Sequence, residues 1–306
     1  MSRVDSKGQL ASVFSSFLFS LLAVTALVVS VERAAAFPLT SEKAWNPALS
    51  ATILADGFTY NGITALSNCS GSFVKFKGAS LDARGLILTN GHCTGGGIFG
   101  GGMPQPGEVI YRRAQSFGVS LLRQDGSRIA GLRATSVLYG TMTDTDVALL
   151  ELNQTYRQIE SATGVQPLVM ADQMTAVGTM IDIPSGYWKR TYSCQIESVV
   201  HVLKEGNWRF TNSVRYSPVG CEVVGGTSGS PILSPATGEV IAINNTGNES
   251  GQTCTVNNPC EIDSAGNVTV LKGRGYGQQT YTLYSCLNAK AEFDLDAPGC
   301  VLPKGH

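Results

Sequence analysis

From Cys69 onward the chain is a succession of short apolar runs cut by turn residues. A first series runs through "CSGSFVKF", "GLILTN", "GVSLLRQDG" and "DVALLEL". A second runs from "AVGTMIDIP" through "YSCQIESVVHVL", "WRFTNSVRY", "SPILS" and "EVIAINN" to "QTYTLYSCL". Runs of this length, bounded by Gly, Ser, Asn and Pro, read as strands, and no stretch sustains a helical period. The expected class is all-β. The stretch "NQTYRQIESATGVQPLVMAD" separates the two series as a linker, which places one β unit over 61–165 and a second over 166–306. Residues 247–273, rich in Asn, Gly and Ser, read as a long surface loop tied off by Cys254 and Cys260. With 306 residues there is chain enough to bury a substantial core.

The first residues follow another logic. Arg3 and Lys7 precede an uncharged stretch from Leu10 to Val31, then Glu32, Arg33 and Ala34-Ala35-Ala36. That order matches a signal peptide over 1–36 with cleavage after Ala36, leaving 37–60 as an N-terminal arm or pro-segment. The alternative is an uncleaved membrane anchor, since the stretch is about long enough to span a bilayer. Eight cysteines, at 69, 93, 194, 221, 254, 260, 286 and 300, all lie outside that segment. In an exported chain an even set reads as disulfides. A metal site is not expected, because no C-x-x-C pair occurs and the histidines are His92, His201 and His306 alone. Charged residues are 15% of the chain and the net charge is −1, so no field draws in nucleic acid or an anionic membrane.

Two stretches carry chemistry. "GLILTNGHCTGGG" sets His92 directly after an apolar run, and "VVGGTSGSPIL" sets Ser228 among glycines before another. Small neighbours let the backbone turn sharply, expose a hydroxyl and leave amide N–H groups facing a substrate, as an acyl-transfer nucleophile requires. The glycine stretch from Gly95 to Glu108 is no phosphate loop, because no Lys-Ser or Lys-Thr follows it; a loop beside His92 is expected. The G-x-S-x-G elbow of lipases and esterases is a near miss, Ser230 standing where it wants glycine, and a Ser-acid-His order would leave only His306. The order His, Asp, Ser is filled by His92, Asp146 of "TDTDVALLEL" and Ser228. Five N-x-S/T tripeptides begin at Asn68, Asn153, Asn244, Asn248 and Asn267.

"LTNGHC", "DTDVALLEL" and "GTSGSP" resemble the three signature segments of trypsin-like, chymotrypsin-fold serine peptidases, in the Gly-Thr-Ser-Gly-Ser-Pro form of bacterial secreted members. The resemblance covers roughly residues 60 to 290. It implies two antiparallel six-stranded β-barrels with the active site between them. It also implies His92 as general base, Asp146 orienting it, Ser228 as nucleophile, and the amides of Gly226 and Ser228 as oxyanion hole. Cys69 and Cys93 match the family cystine beside the histidine; the remaining cysteines are paired here as 194 with 221, 254 with 260 and 286 with 300, out of 105 possible pairings.

Thr227 stands where digestive members carry the aspartate that receives a freed N-terminus, so that switch is missing. "EVIAINNTGN" resembles the strand that binds substrate backbone, with Asn244 and Asn245 where Ser-Trp-Gly or His is usual. In the family these segments resemble, the residue six positions before the nucleophile lies at the base of the primary pocket, so the resemblance implies Glu222 there, which would favour a basic side chain; the other reading makes it a solvated turn residue. The function expected is a secreted, monomeric serine endopeptidase acting on polypeptides without cofactor, nucleic acid or membrane, unless the N-terminal segment stays uncleaved. A catalytically inactive, peptidase-like binding or adhesion module is the alternative.

Overall fold

The computed structural model describes residues 59–95 and 102–305. The expected signal segment, nearly all of the arm and the middle of the glycine stretch lie outside the described residues.

Two closed antiparallel rings account for most of the chain. The first is built from β1 (Ile63–Ala65), β2 (Ser70–Lys75), β3 (Arg84–Thr89), β4 (Val109–Leu122), β5 (Arg128–Thr141) and β6 (Val147–Thr155). Its order is β1-β4-β5-β6-β3-β2, and the β1–β2 pairing closes it. Closure removes the exposed sheet edges that an open sheet of such apolar strands would present. Strands β2 and β3 read as nearly continuous buried runs, whereas the outer parts of β4 and β5 alternate. A short strand, β7 (Leu168–Val169), adds in parallel to β2.

Within the stretch expected as a linker lies a helix, α1 (Tyr156–Thr163). A capping box between Thr155 and Gln158 starts it and Gly164, at φ 72°, stops it. Only Tyr156 and Ile159 are buried, too few apolar positions to show a helical period.

The second ring contains β8 (Met180–Ser185), β9 (Arg190–Glu205), β10 (Trp208–Tyr216), β11 (Pro231–Leu233), β12 (Val240–Gly247) and β15 (Gly275–Gln279). It runs β10-β15-β12-β11-β8-β9 and closes through β10–β9. A hairpin of β13 (Cys260–Ile262) and β14 (Val268–Thr269) hangs on β9. The two rings are the double barrel expected. Four cystines, Cys69–Cys93, Cys194–Cys221, Cys254–Cys260 and Cys286–Cys300, staple it, in the pairing the sequence suggested.

After β15 a 3-10 turn over Tyr281–Cys286 leads into a tail. Sequence order grouped this tail with the second unit, but Phe293, Leu295 and Leu302 join the core of the first ring. The Phe293 ring lies 5.3 Å from that of Tyr139, whose hydroxyl donates to the Pro303 carbonyl at 3.2 Å.

Candidate active site

The buried run of β3 ends at Thr89, and the chain turns at once into a 3-10 segment, Gly91–Thr94, that carries His92. Gly91 has to be glycine: a Cβ there would lie 2.0 Å from the Thr141 carbonyl oxygen and 3.0 Å from Asp146 Oδ1. That close approach lets the histidine turn meet the segment entering β6. Asp146 is fully buried, and both its oxygens are engaged by one residue. The His92 backbone N–H donates to Oδ1 at 3.1 Å, and His92 Nδ1 lies 2.6 Å from Oδ2. Asn90 holds the Asp146 carbonyl through its side-chain amide at 2.9 Å. Two residues earlier, Asp144 accepts the Thr211 N–H of β10 at 2.8 Å, which moors the aspartate segment on the second ring.

Ser228 is the second residue of the latter of two consecutive tight turns. Thr227 N–H donates to Val224 O and Ser230 N–H to Thr227 O, each at 3.0 Å, and the third residue of each turn is a glycine at positive φ: Gly226 at 86° and Gly229 at 81°. Positive φ at that position is the signature of a type II turn and the reason for the glycines. The Ser228 carbonyl accepts the Ser70 N–H at 2.8 Å, and the Gly229 N–H donates to Asn244 O at 3.0 Å. A Cβ on Gly229 would lie 2.2 Å from both Ser70 O and Thr89 Oγ1. The serine turn is therefore pressed against the strand ends beside Cys69 and His92, which the Cys69–Cys93 cystine joins. The N–H groups of Gly226 and Ser228 have no backbone acceptor among the described residues.

Beside Ser228 opens a small cavity of about 60 Å³, lined by Val224, Gly225, Asn244, Asn245, Thr246 and Glu249 among others. Larger cavities lie elsewhere, one of about 610 Å³ flanking Cys93 and Thr94, but none of these contains Ser228. Asn244 and Asn245, picked out from the sequence, both line the small cavity and both are buried. Asn245 O lies 3.4 Å from Ser228 Oγ, and Asn244 Oδ1 accepts the Tyr216 hydroxyl. Glu222 is exposed and does not line it; Cys221, tied to Cys194 on β9, sends the next residue outward. Sequence reasoning missed Glu249, partial burial of which raises its carboxyl pKa. It also missed Glu205, buried at the end of β9, where desolvation pushes the carboxyl up to about 7 against the opposing Asn257 N–H bond at 2.7 Å. The N-x-S/T sites at Asn244 and Asn248 are closed to glycosylation, since both side chains are buried and hydrogen-bonded.

Cys69, His92 and Cys93 cluster closely enough for a metal, but both sulfurs are consumed in the cystine. The donor set does not fit an ion.

A double antiparallel barrel that carries a buried histidine–carboxylate pair and a glycine-flanked serine turn has the chymotrypsin-like peptidase fold. The chain belongs to the family of the trypsin-like peptidase domain, whose profile matches residues 69–243. Solved structures of similar fold include the MamO protease domain from Magnetospirillum magneticum, at 15% identity and a TM-score of 0.46, covering 76% of this chain and 98% of that one. The active form of the Rv3671c protease from M. tuberculosis is similar at 15% identity and 0.43, covering 85% and 90%. Deg5 is similar at 18% and 0.42, covering 70% and 90%. No curated protein sequence matches significantly.

Proposed function

We propose that the protein is a serine endopeptidase that cleaves peptide bonds through an acyl-enzyme on Ser228. The observation that carries this is the grip of Asp146 on His92, with one oxygen on the backbone N–H and the other on Nδ1. An acceptor at Nδ1 selects the tautomer in which Nε2 is the basic nitrogen, the form that can take the Ser228 proton as Oγ attacks the carbonyl carbon. The proton then passes to the leaving amine, and a water repeats the sequence to release the acid. Asp146 stabilises the imidazolium that forms between the two transfers. Gly226 and Ser228 N–H would receive the oxyanion, a contribution of roughly 3 to 4 kcal/mol per donor. Asn244 and Asn245 would contact the substrate, with Glu222 outside the pocket.

Four cystines suit an oxidising compartment. Among the described residues no helix is long and apolar enough to cross a membrane, and export by the N-terminal segment completes the reading. The alternative of an inactive binding module predicts no serine reactivity. The test is a fluorophosphonate probe on wild type and Ser228→Ala, alongside peptide turnover. Labelling and turnover that both vanish in the variant support the enzyme; an unlabelled wild type supports the module.

A further inference from the structure

We propose that Trp188 is a positioning residue for the oxyanion hole, choosing the orientation of the Gly225–Gly226 peptide. This rests on the peptidase reading above. Trp188 occupies the four-residue loop, 186–189, that joins β8 to β9. Its indole Nε1–H donates to the Gly225 carbonyl at 2.7 Å, across 37 residues of sequence. In a planar trans peptide the C=O and the following N–H point in opposite directions. Fixing Gly225 O on the indole therefore turns the Gly226 N–H away from the loop, to the side free of backbone acceptors.

The choice matters because this peptide has two stable settings. Gly225 and Gly226 are the central residues of the turn closed by Thr227 N–H to Val224 O. Rotating their shared peptide by half a turn converts type II geometry, with positive φ at the second central residue, into type I, with φ near −90°, and leaves the closing hydrogen bond intact. Glycine tolerates both, so the local backbone alone does not decide. In the second setting the Gly226 N–H would swing out of the hole and the carbonyl would swing in. One donor, the Trp188 indole, selects the first.

The loop that presents Trp188 is itself held. A Cβ on Gly186 would lie 2.1 Å from the Thr64 carbonyl, so the loop seats tightly on β1. The Trp188 backbone N–H donates to Ser185 Oγ at 3.2 Å and that of Tyr187 to Ser70 Oγ at 3.1 Å. Ser70 Oγ donates its one proton to Gly226 O at 3.2 Å, so in the 3.0 Å contact between the two hydroxyls Ser185 is the donor. The Ser228 carbonyl is held by the Ser70 N–H. The carbonyls of residues 225, 226 and 228 are thus all anchored from outside the turn. A Cβ on Gly226 would lie 2.9 Å from Trp188 Nε1 and from Tyr187 Cδ1, which is the packing reason for glycine there beyond its φ.

The test compares wild type with Trp188→Phe, which keeps an aromatic ring and removes the donor. A second variant carries benzothienylalanine at 188, of the indole's shape but with sulfur in place of N–H. Loss of a hole donor lowers kcat by about 10²- to 10³-fold, and a biased rather than absent donor is expected to cost about 10- to 100-fold. KM should stay within about 2-fold. Affinity for a peptide boronic acid, which carries the tetrahedral oxygen, should fall by the same factor as kcat, with affinity for the cleaved product peptide unchanged. A purely structural tryptophan would move all these together or none. Wild-type turnover with unchanged kcat in the benzothienylalanine variant overturns the assignment alone; absence of any wild-type turnover or serine labelling overturns the peptidase reading and this with it.

Discussion

The Ser70 backbone N–H donates to the Ser228 carbonyl at 2.8 Å, so the serine turn of the second ring hangs on the strand that begins beside Cys69 in the first. The Cys69–Cys93 cystine then carries that link to the residue next to His92. The serine turn and the histidine turn come from different barrels, and this short route ties one to the other.

Gly229→Ala should break it. The position has φ 81°, and the added methyl would sit 2.2 Å from Ser70 O, a backbone atom that cannot step aside. A loss of about 2 to 4 kcal/mol is expected in denaturant unfolding, from strain and overpacking together. Gly238→Ala is the control, at φ 71° with nothing within 4 Å, and should lose no more than about 1 to 2 kcal/mol.

Asp146→Asn should leave the fold intact and lower kcat by about 10⁴-fold, because an amide facing Nδ1 favours the wrong imidazole tautomer. Oδ1 would still accept the His92 backbone N–H, so the thermal midpoint should move little. A variant with more than about a tenth of wild-type turnover would detach Asp146 from the mechanism.

How far the sequence reached depends on what kind of signal each residue leaves. His92, Asp146 and Ser228 are readable because a glycine or an apolar strand must stand beside each, and those neighbours are local. The rings are readable for the same reason, since buried strands are apolar and their turns are not. Helix α1 left no trace because eight residues with two core contacts show no period. Trp188 left none because an indole bonded to a carbonyl 37 residues away obeys no spacing rule. The pocket position of Glu222 rests on counting, and counting does not register that Gly220, at φ 85° with room for no Cβ against Ser193 O, redirects the chain just before it.

Glu205 sets a pH dependence of stability. Its folded pKa, raised to about 7 chiefly by burial, lies above an ordinary carboxyl value of 4.5. Between these values the folded state holds a proton that the unfolded state has released, so stability falls as pH rises through that window and is level above it. The Asn257 N–H opposes the shift without cancelling it, and the nearby Asp146 carboxylate adds to it. Glu205→Gln keeps an acceptor for Asn257 and removes the titration. Urea unfolding from pH 4.5 to 8 should show the wild type losing on the order of 2 to 3 kcal/mol that the variant retains. Parallel curves for the two proteins would refute the role of Glu205.

Primary specificity should follow the cavity beside Ser228 and not Glu222. A cavity as small as about 60 Å³ suits a short side chain such as Ala, Ser or Thr better than Arg, Lys or Phe. Its walls mix Val223 and Val224 with the buried Asn244 and Asn245, and the Asn245 amide nitrogen has no hydrogen-bond partner among the described residues. A short substrate hydroxyl or carbonyl would supply one, and satisfying a buried donor is worth about 1 to 3 kcal/mol. Glu249, at the same cavity, disfavours an acidic side chain. A panel of peptides differing only in the residue before the scissile bond should therefore rank Ser, Thr and Ala first. Glu222→Gln should leave that ranking unchanged, because its carboxylate is exposed outside the cavity. Asn245→Ala should narrow the advantage of Ser over Ala by about 5- to 50-fold in kcat/KM, corresponding to roughly 1 to 2 kcal/mol. Glu249→Gln should raise turnover of Asp and Glu peptides. A wild-type preference for Arg or Lys that disappears in Glu222→Gln would return the pocket to Glu222 and refute this assignment.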